Sequence, residues 1–281
     1  MQSADVSTDD CLHTAALRCL RLASAEEKCD AVQSLVQRWH QGGLQRDVHT
    51  PIQRLEVPGR PQRPLLVHPA RVPKRSFDSA IGRVRLAHAI AHIEFNAINL
   101  ALDAVYRFRD QPHQYYTDWL QVAAEEAEHF SLLQQYLRRH DSYYGQYSAH
   151  NGLWEMALKT DHDVLVRMAL VPRVLEARGL DVTPGMIRRL QAAGDEELVA
   201  ILQRIFDDEI GHVRIGSHWF FRLCEQRGLD AEETFVSLLQ QYMQQGIAGP
   251  FEMDARMAAG FTEQEMLRLR SLSVKRKVCH S

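Results

Sequence analysis

Two short stretches put metal-ligating side chains on helical faces that also carry apolar residues. In AAEEAEHFSLLQQYL, which starts at Ala123, Glu126 and His129 stand three apart, and in IFDDEIGHVRIG, Glu209 and His212 repeat the offset. Residues three apart on an α-helix share a face. Each Glu-x-x-His therefore offers a carboxylate and an imidazole to one point in space. A carboxylate turned toward a core needs a partner or a cation. One such pair arises by chance on solvated helices. Two carry more weight here, because Glu94 precedes Glu126 by 32 residues and Glu176 precedes Glu209 by 33.

The elements that position these residues are helical. Residues 7–42 show two helical periods, ended by Gly42 and Gly43. Residues 51–75 hold six of the ten prolines, which fix φ and remove amide donors, so this stretch is extended. Apolar positions spaced three and four apart predict helices over about 79–109 and 113–140, around a turn at Asp110-Gln111-Pro112. A polar linker follows at 141–152. A third helix is expected from near Leu153 to about Arg178, kinked at Pro172 and interrupted by Gly179 and Pro184-Gly185. A fourth runs over about 196–227 with Asp195 as N-cap, a further helix over 230–245, and TEQEMLRLRSLS forms a weaker helical tail. No β-alternation persists, so the class is all-α.

Heights agree with this plan. Glu94 lies 16 residues before Asp110 and Glu126 lies 14 after Pro112. In an antiparallel helical hairpin the two carboxylates then sit nearly level. The second half levels more loosely, with 18 and 15 residues either side of Gly194. Four carboxylates and two imidazoles suit iron or manganese better than zinc. One Glu and one Glu-x-x-His from each helix pair is the ligand set of di-iron and di-manganese carboxylate bundles.

PGRPQRPLLVHPARVP, HAIAHIEFNAINLALDAVYRF, EEAEHF and DDEIGHVRIG resemble an uncharacterised bacterial family of ferritin-like proteins over roughly residues 50–250. The LEAR and Glu-x-x-His pieces are also distantly similar to a ferritin-like tRNA hydroxylase, whose substrate is not carried over. The resemblance implies a ferritin-like four-helix bundle with a dinuclear metal site. Its ligands would be Glu94, Glu126, His129, Glu176, Glu209 and His212, with Glu176 the least secure because its helix is broken. The expected organisation is an N-terminal helical extension (1–45), a Pro-rich strap (46–78), the di-metal bundle (79–250) and a C-terminal tail (251–281).

The leading function is a di-iron oxidoreductase, a hydroxylase or oxygenase using O2 on an organic substrate. Glu126 and Glu209 would bridge two Fe ions, with Mn as the alternative metal. The substrate is an unidentified small molecule or modified nucleotide. Electrons would come from an external donor, since no flavin or iron–sulfur motif is present. Iron handling (ferroxidase or peroxide detoxification) and a metal-free scaffold are the competing readings. The chain would be a monomer or dimer.

Composition narrows the classes further. The 281 residues carry a net charge of −3 and 45% hydrophobic residues, which excludes a global field for nucleic acid or membrane. No apolar run suits a membrane span, and the start of the chain is unlike a signal peptide. Five scattered cysteines, including Cys279, predict reduced thiols in a cytoplasmic protein. The basic 51–85 region reads as a surface strap. A nucleic-acid contact there is the minor reading, because aromatic stacking partners are missing. Glu125 and Glu128 are expected on the solvated face, and His88 and His92 in packing or at the surface. His162 and Asp163 lie too far along the helix to join the site. Asp208 is either exposed or holds an imidazole nitrogen. Tyr106, Tyr115, Tyr116 and Trp119 are expected in the core or at its rim.

Overall fold

Ser24, Ser79 and Pro112 stand at helix starts in this chain, and Asp163, Asp195 and Asp230 do the same for later helices. The structure, a computed structural model, describes residues 10–47, 49–243, 246–247 and 249–272. Cys279 and the ends of the chain lie outside the described residues. The chain divides into two compact units, one ending at Asp161 and one beginning at His162. Among the described residues there are helices and two isolated β-bridges but no strand, as the all-α reading expects. No helix among the described residues is long and apolar enough to cross a membrane. Cys11, Cys19, Cys29 and Cys224 are buried free thiols.

The first unit contains α1 (Leu12–Arg21), α2 (Ala25–His40), α3 (Ala80–Arg107), α4 (His113–Arg139) and α5 (Gly152–Lys159). Ser79 starts α3 by accepting from the Gly82 amide. At the other end of α3, the Tyr116 hydroxyl donates to Phe108 O at 3.1 Å and accepts from the Gln111 amide at 3.2 Å. That ties the turn closed around Asp110, which takes φ 61°. Pairs then run in opposite directions along the two helices, from Phe108 with Tyr116 to Phe95 with Phe130, whose ring centroids lie 5.6 Å apart. α3 and α4 are thus the antiparallel hairpin the spacing predicts. α1 packs on α3, and α2 packs on α4. Tyr115, Tyr116 and Trp119 fill the core between these helices.

The strap is extended, with a single 3-10 turn at Pro69–Arg71. Gln53 N donates to the Tyr106 hydroxyl at 2.7 Å, and Trp154 Nε1 donates to Glu56 O at 3.0 Å. Its strongest anchor is Lys28 on α2. This buried ammonium donates to Leu20 O (3.0 Å), Gly59 O (2.9 Å) and Asn99 Oδ1 (2.5 Å), joining α1, α2, the strap and α3. Three acceptors match the three N–H bonds of an ammonium.

Burial nonetheless pushes the Lys28 pKa down to about 7. With the unfolded value near 10.5, the unfolded chain binds more protons between these limits. The desolvation cost is complete below pH 7 and is relieved as pH rises toward 10.5. Wild-type stability relative to Lys28→Met is therefore expected to increase from pH 7 to 10 in urea unfolding. A flat difference would show that the three carbonyls offset the burial.

The second unit contains α6 (Val164–Leu170), a π-helical segment (Val171–Glu176), α7 (Ala177–Ala192), α8 (Glu196–Gln226), α9 (Ala231–Tyr242), α10 (Met253–Ala258) and α11 (Glu263–Leu272). Asp195 caps α8 by accepting from Leu198 N, as expected. α6, the π segment and α7 pack on α8.

Here the structure corrects the sequence reading twice. The expected helix from Leu153 to Arg178 is broken between Lys159 and Val164. Asp163 restarts it by accepting from Leu165 N at 2.8 Å, so a capping residue wins over continuity. Conversely, α7 passes through Gly179 and Pro184-Gly185 without interruption. Leu180, Ile187 and Leu190 are buried on this helix, and their packing outweighs the hydrogen bond lost at Pro184.

Candidate metal centre

Within the first unit, α3 and α4 bring Glu94, Glu126 and His129 together. Their exposures are 2%, 0% and 1%. His129 Nδ1 lies 3.3 Å from Glu94 Oε2 and 3.5 Å from Glu126 Oε2. Ligand atoms from all three lie within 4.8 Å of one another. Glu94 thus stands beside the first Glu-x-x-His, as the residue counts on either side of the turn predict.

The electrostatics are those of a site short of positive charge. Burial, reinforced by the neighbouring Glu126 carboxylate, pushes the Glu94 pKa up to about 8. For His129, burial works to lower the pKa, but hydrogen bonds and charge from Glu126 and Glu94 outweigh it and raise it to about 11. Two carboxylates crowded in a dry site favour whatever cation is offered, a proton on imidazole or a metal.

Within the second unit, α8 carries Glu209 and His212, with His212 Nδ1 3.8 Å from Glu209 Oε2. Both are buried. Glu176 is also buried, at the last position of the π segment. Among the described residues it joins no grouping of three ligand side chains as close as that around Glu94. A π turn holds more residues than an α turn, and such turns recur at functional sites.

Gly216 permits this local shape. A Cβ there would meet Pro172 Cβ and Cγ at 2.3 Å. The rigid proline ring cannot fold away, so Gly216→Ala is expected to cost about 1–3 kcal/mol through overpacking. Urea unfolding of the variant checks this; unchanged stability would mean that the π segment moves freely.

Neighbouring candidates fall outside the centre. Glu125 accepts from Gln121 Nε2, Glu128 is exposed, and Asp208 pairs with Arg204 at 2.6 Å. His88 Nε2 accepts from Gly145 N, and His92 Nδ1 lies 2.9 Å from the Tyr144 hydroxyl, so both histidines serve packing. Asp163 pairs with Arg227, and His162 Nε2 lies 3.4 Å from the Tyr242 hydroxyl. Sequence reasoning passed over Arg173, because an arginine in a helical pattern reads as surface. The available signal was a run of phenylalanines at 220, 221, 235 and 261, which needed something to enclose.

Residues 21–267 match the family described as "Protein of unknown function (DUF455)". The chain belongs to the DUF455 family. An uncharacterised protein of Haemophilus influenzae is 50% identical over 213 residues, covering 73% of this chain and 74% of that one. No solved structure matches. The DUF455 match spans all six candidate ligands, from Glu94 to His212.

Proposed function

We propose that this chain is a dinuclear iron or manganese oxidoreductase that uses dioxygen to oxidise an organic substrate. The observation that carries the reading is the buried Glu94–Glu126–His129 grouping, with ligand atoms within 4.8 Å. The second Glu-x-x-His on α8 supports it, since it supplies the same donors from the other half of the chain. The donor set fits the group: hard carboxylate oxygens and imidazoles, dry and crowded, match iron and manganese chemistry.

In this reading each half of the chain contributes one Glu and one Glu-x-x-His to metal binding, the ligand pattern of a ferritin-like bundle. Glu94, Glu126 and His129 would hold metal from the first half, and Glu176, Glu209 and His212 from the second. Bound metal would supply the redox chemistry that activates dioxygen. The chain's own side chains would set the rest. Glu94 and His129 would exchange their proton for the incoming cation, and the apolar walls of α3 and α4 would exclude water from the reacting atoms. Electrons would come from an external donor.

Elemental analysis of protein grown in ordinary medium tests the reading, followed by ultraviolet absorption after ferrous iron and air. About two iron or manganese ions per chain are expected. Iron that is oxidised and then released to a chelator would favour iron handling instead. Protein without metal would overturn the centre.

A further inference from the structure

The second unit buries a guanidinium three residues before Glu176. Arg173 is wholly enclosed. Its Cζ stands 4.6, 4.9, 4.3 and 4.6 Å from the ring centroids of Phe220, Phe221, Phe235 and Phe261. Its Nη2 donates to Glu265 Oε1 at 2.6 Å. Glu265 is itself fixed at the start of α11. Its Oε2 accepts from Thr262 N at 2.9 Å, while Thr262 Oγ1 accepts from Glu265 N at 3.1 Å, a reciprocal capping box.

More tethers follow immediately. Arg256 of α10 donates from Nε and Nη2 to the two oxygens of Asp181, at 2.8 Å each, and its Nη2 reaches Ala177 O at 3.4 Å. Asp181 also accepts from Glu252 N at 3.0 Å. Arg178 Nη1 donates to Pro250 O at 3.1 Å. Phe261 serves both guanidiniums, lying 5.0 Å from that of Arg256. Residues 173, 177, 178 and 181 are thus all held by residues 250–265, and Glu176 sits among them.

A core built for stability alone would fill that box with hydrocarbon, since a buried ion pair gains little over an apolar replacement of equal volume. What the charges add is direction: Arg256 grips Asp181 bidentately and Arg173 holds Glu265 through one charged hydrogen bond, and such bonds fix the partner's orientation. Direction matters here because Glu176 ends a π segment. If that segment relaxed to α geometry, the carboxylate would swing by about 100°, one residue's rotation.

We infer that residues 250–265 form a clamp that holds Val171–Glu176 in its π register and so aims the Glu176 carboxylate. Arg173 and Arg256 are positioning residues for that ligand. The consequence for metal rests on the proposed dinuclear centre; the clamp on the register does not.

The test uses the full chain with Arg173→Met and Glu265→Gln together. Methionine fills the phenylalanine box, glutamine retains the cap on Thr262, and no lone charge is left buried, so folding is retained. Two readouts separate the clamp from the centre. In a Glu176→Cys background, the thiol at 176 is expected to be protected while the clamp is intact. It should react with a thiol reagent at least about tenfold faster once the clamp is neutralised. With Glu176 present, cobalt(II) titration is expected to show one ion bound at least about tenfold more weakly, with an altered visible spectrum.

Unchanged thiol protection would overturn the clamp and leave the box as core filling. A freed thiol with unchanged cobalt binding would overturn the positioning role. If the parent chain takes up no cobalt, the metal reading falls while the thiol arm still decides the clamp. Should the first pair unfold, Arg256→Gln with Asp181→Asn loosens the other tether and is read in the same way.

Discussion

Glu126→Ala is expected to leave a folded chain that no longer holds stoichiometric metal. Glu126 is fully buried, and its Oε2 lies 3.5 Å from His129. Its loss should exceed the roughly 10–100-fold penalty typical of an outer-shell partner. The sign on stability is the more telling part. Without metal, Glu94 and Glu126 repel one another in a dry site, and that repulsion contributes to the raised Glu94 pKa. Removing Glu126 relieves that repulsion but takes a buried partner from the His129 imidazolium and leaves a cavity, so the metal-free variant should melt below the metal-free parent. The parent should gain stability with added iron(II) or manganese(II) under anaerobic conditions, as any ligand of the folded state requires. The variant should gain none. Glu209→Ala should reproduce the loss of metal from the other half. A Glu126→Ala protein with full metal content would remove this residue from the centre.

Gly59→Ala should be the most damaging small substitution in the first unit. A Cβ at this position would lie 2.2 Å from Arg21 O, 2.3 Å from Arg21 C and 2.4 Å from Leu22 O. All three are backbone atoms at the end of α1, so no side chain can turn aside. Displacing Gly59 also stretches its amide from Leu20 O, now 2.8 Å, and its carbonyl from Lys28 Nζ. Overpacking in a well-filled interior costs about 1–3 kcal/mol, and a weakened carbonyl contact to a charged donor adds about 1.5–3 kcal/mol. A loss of about 3–5 kcal/mol is expected in urea unfolding. A loss below about 1 kcal/mol would mean that the strap rests on the bundle without being keyed into it.

Much of the first unit was legible because local signals and packing agree there. α3 and α4 have long apolar periods, a serine cap and a short turn, and counting residues from that turn suffices to bring Glu94 level with Glu126. The second unit was harder to read because its local signals conflict. Asp163 looks like one more polar residue inside a helical pattern, yet its side chain restarts the helix. Pro184 looks like a stop, yet burial of Leu180, Ile187 and Leu190 carries α7 through it. The π segment has no compositional signature beyond Pro172, and its room depends on Gly216, 44 residues away. Arg173 was invisible for a related reason, since its box is assembled from α8, α9 and the approach to α11. Sequence spacing reports what lies on one face of one helix; it cannot report a side chain enclosed by three distant segments.

The π segment also bears on how this protein can change over generations. A π turn is what an α-helix becomes when one residue is inserted and its neighbours hold their places. Losing a single codon between Val171 and Glu176 would restore an ordinary helix with its hydrogen bonds complete and its apolar contacts largely intact. The same event would rotate the acidic side chain away from its present direction. Descendants could therefore turn away the proposed ligand at Glu176 in a single step while keeping the fold. A one-residue gap at this place in a relative would mark a lineage that has taken that step.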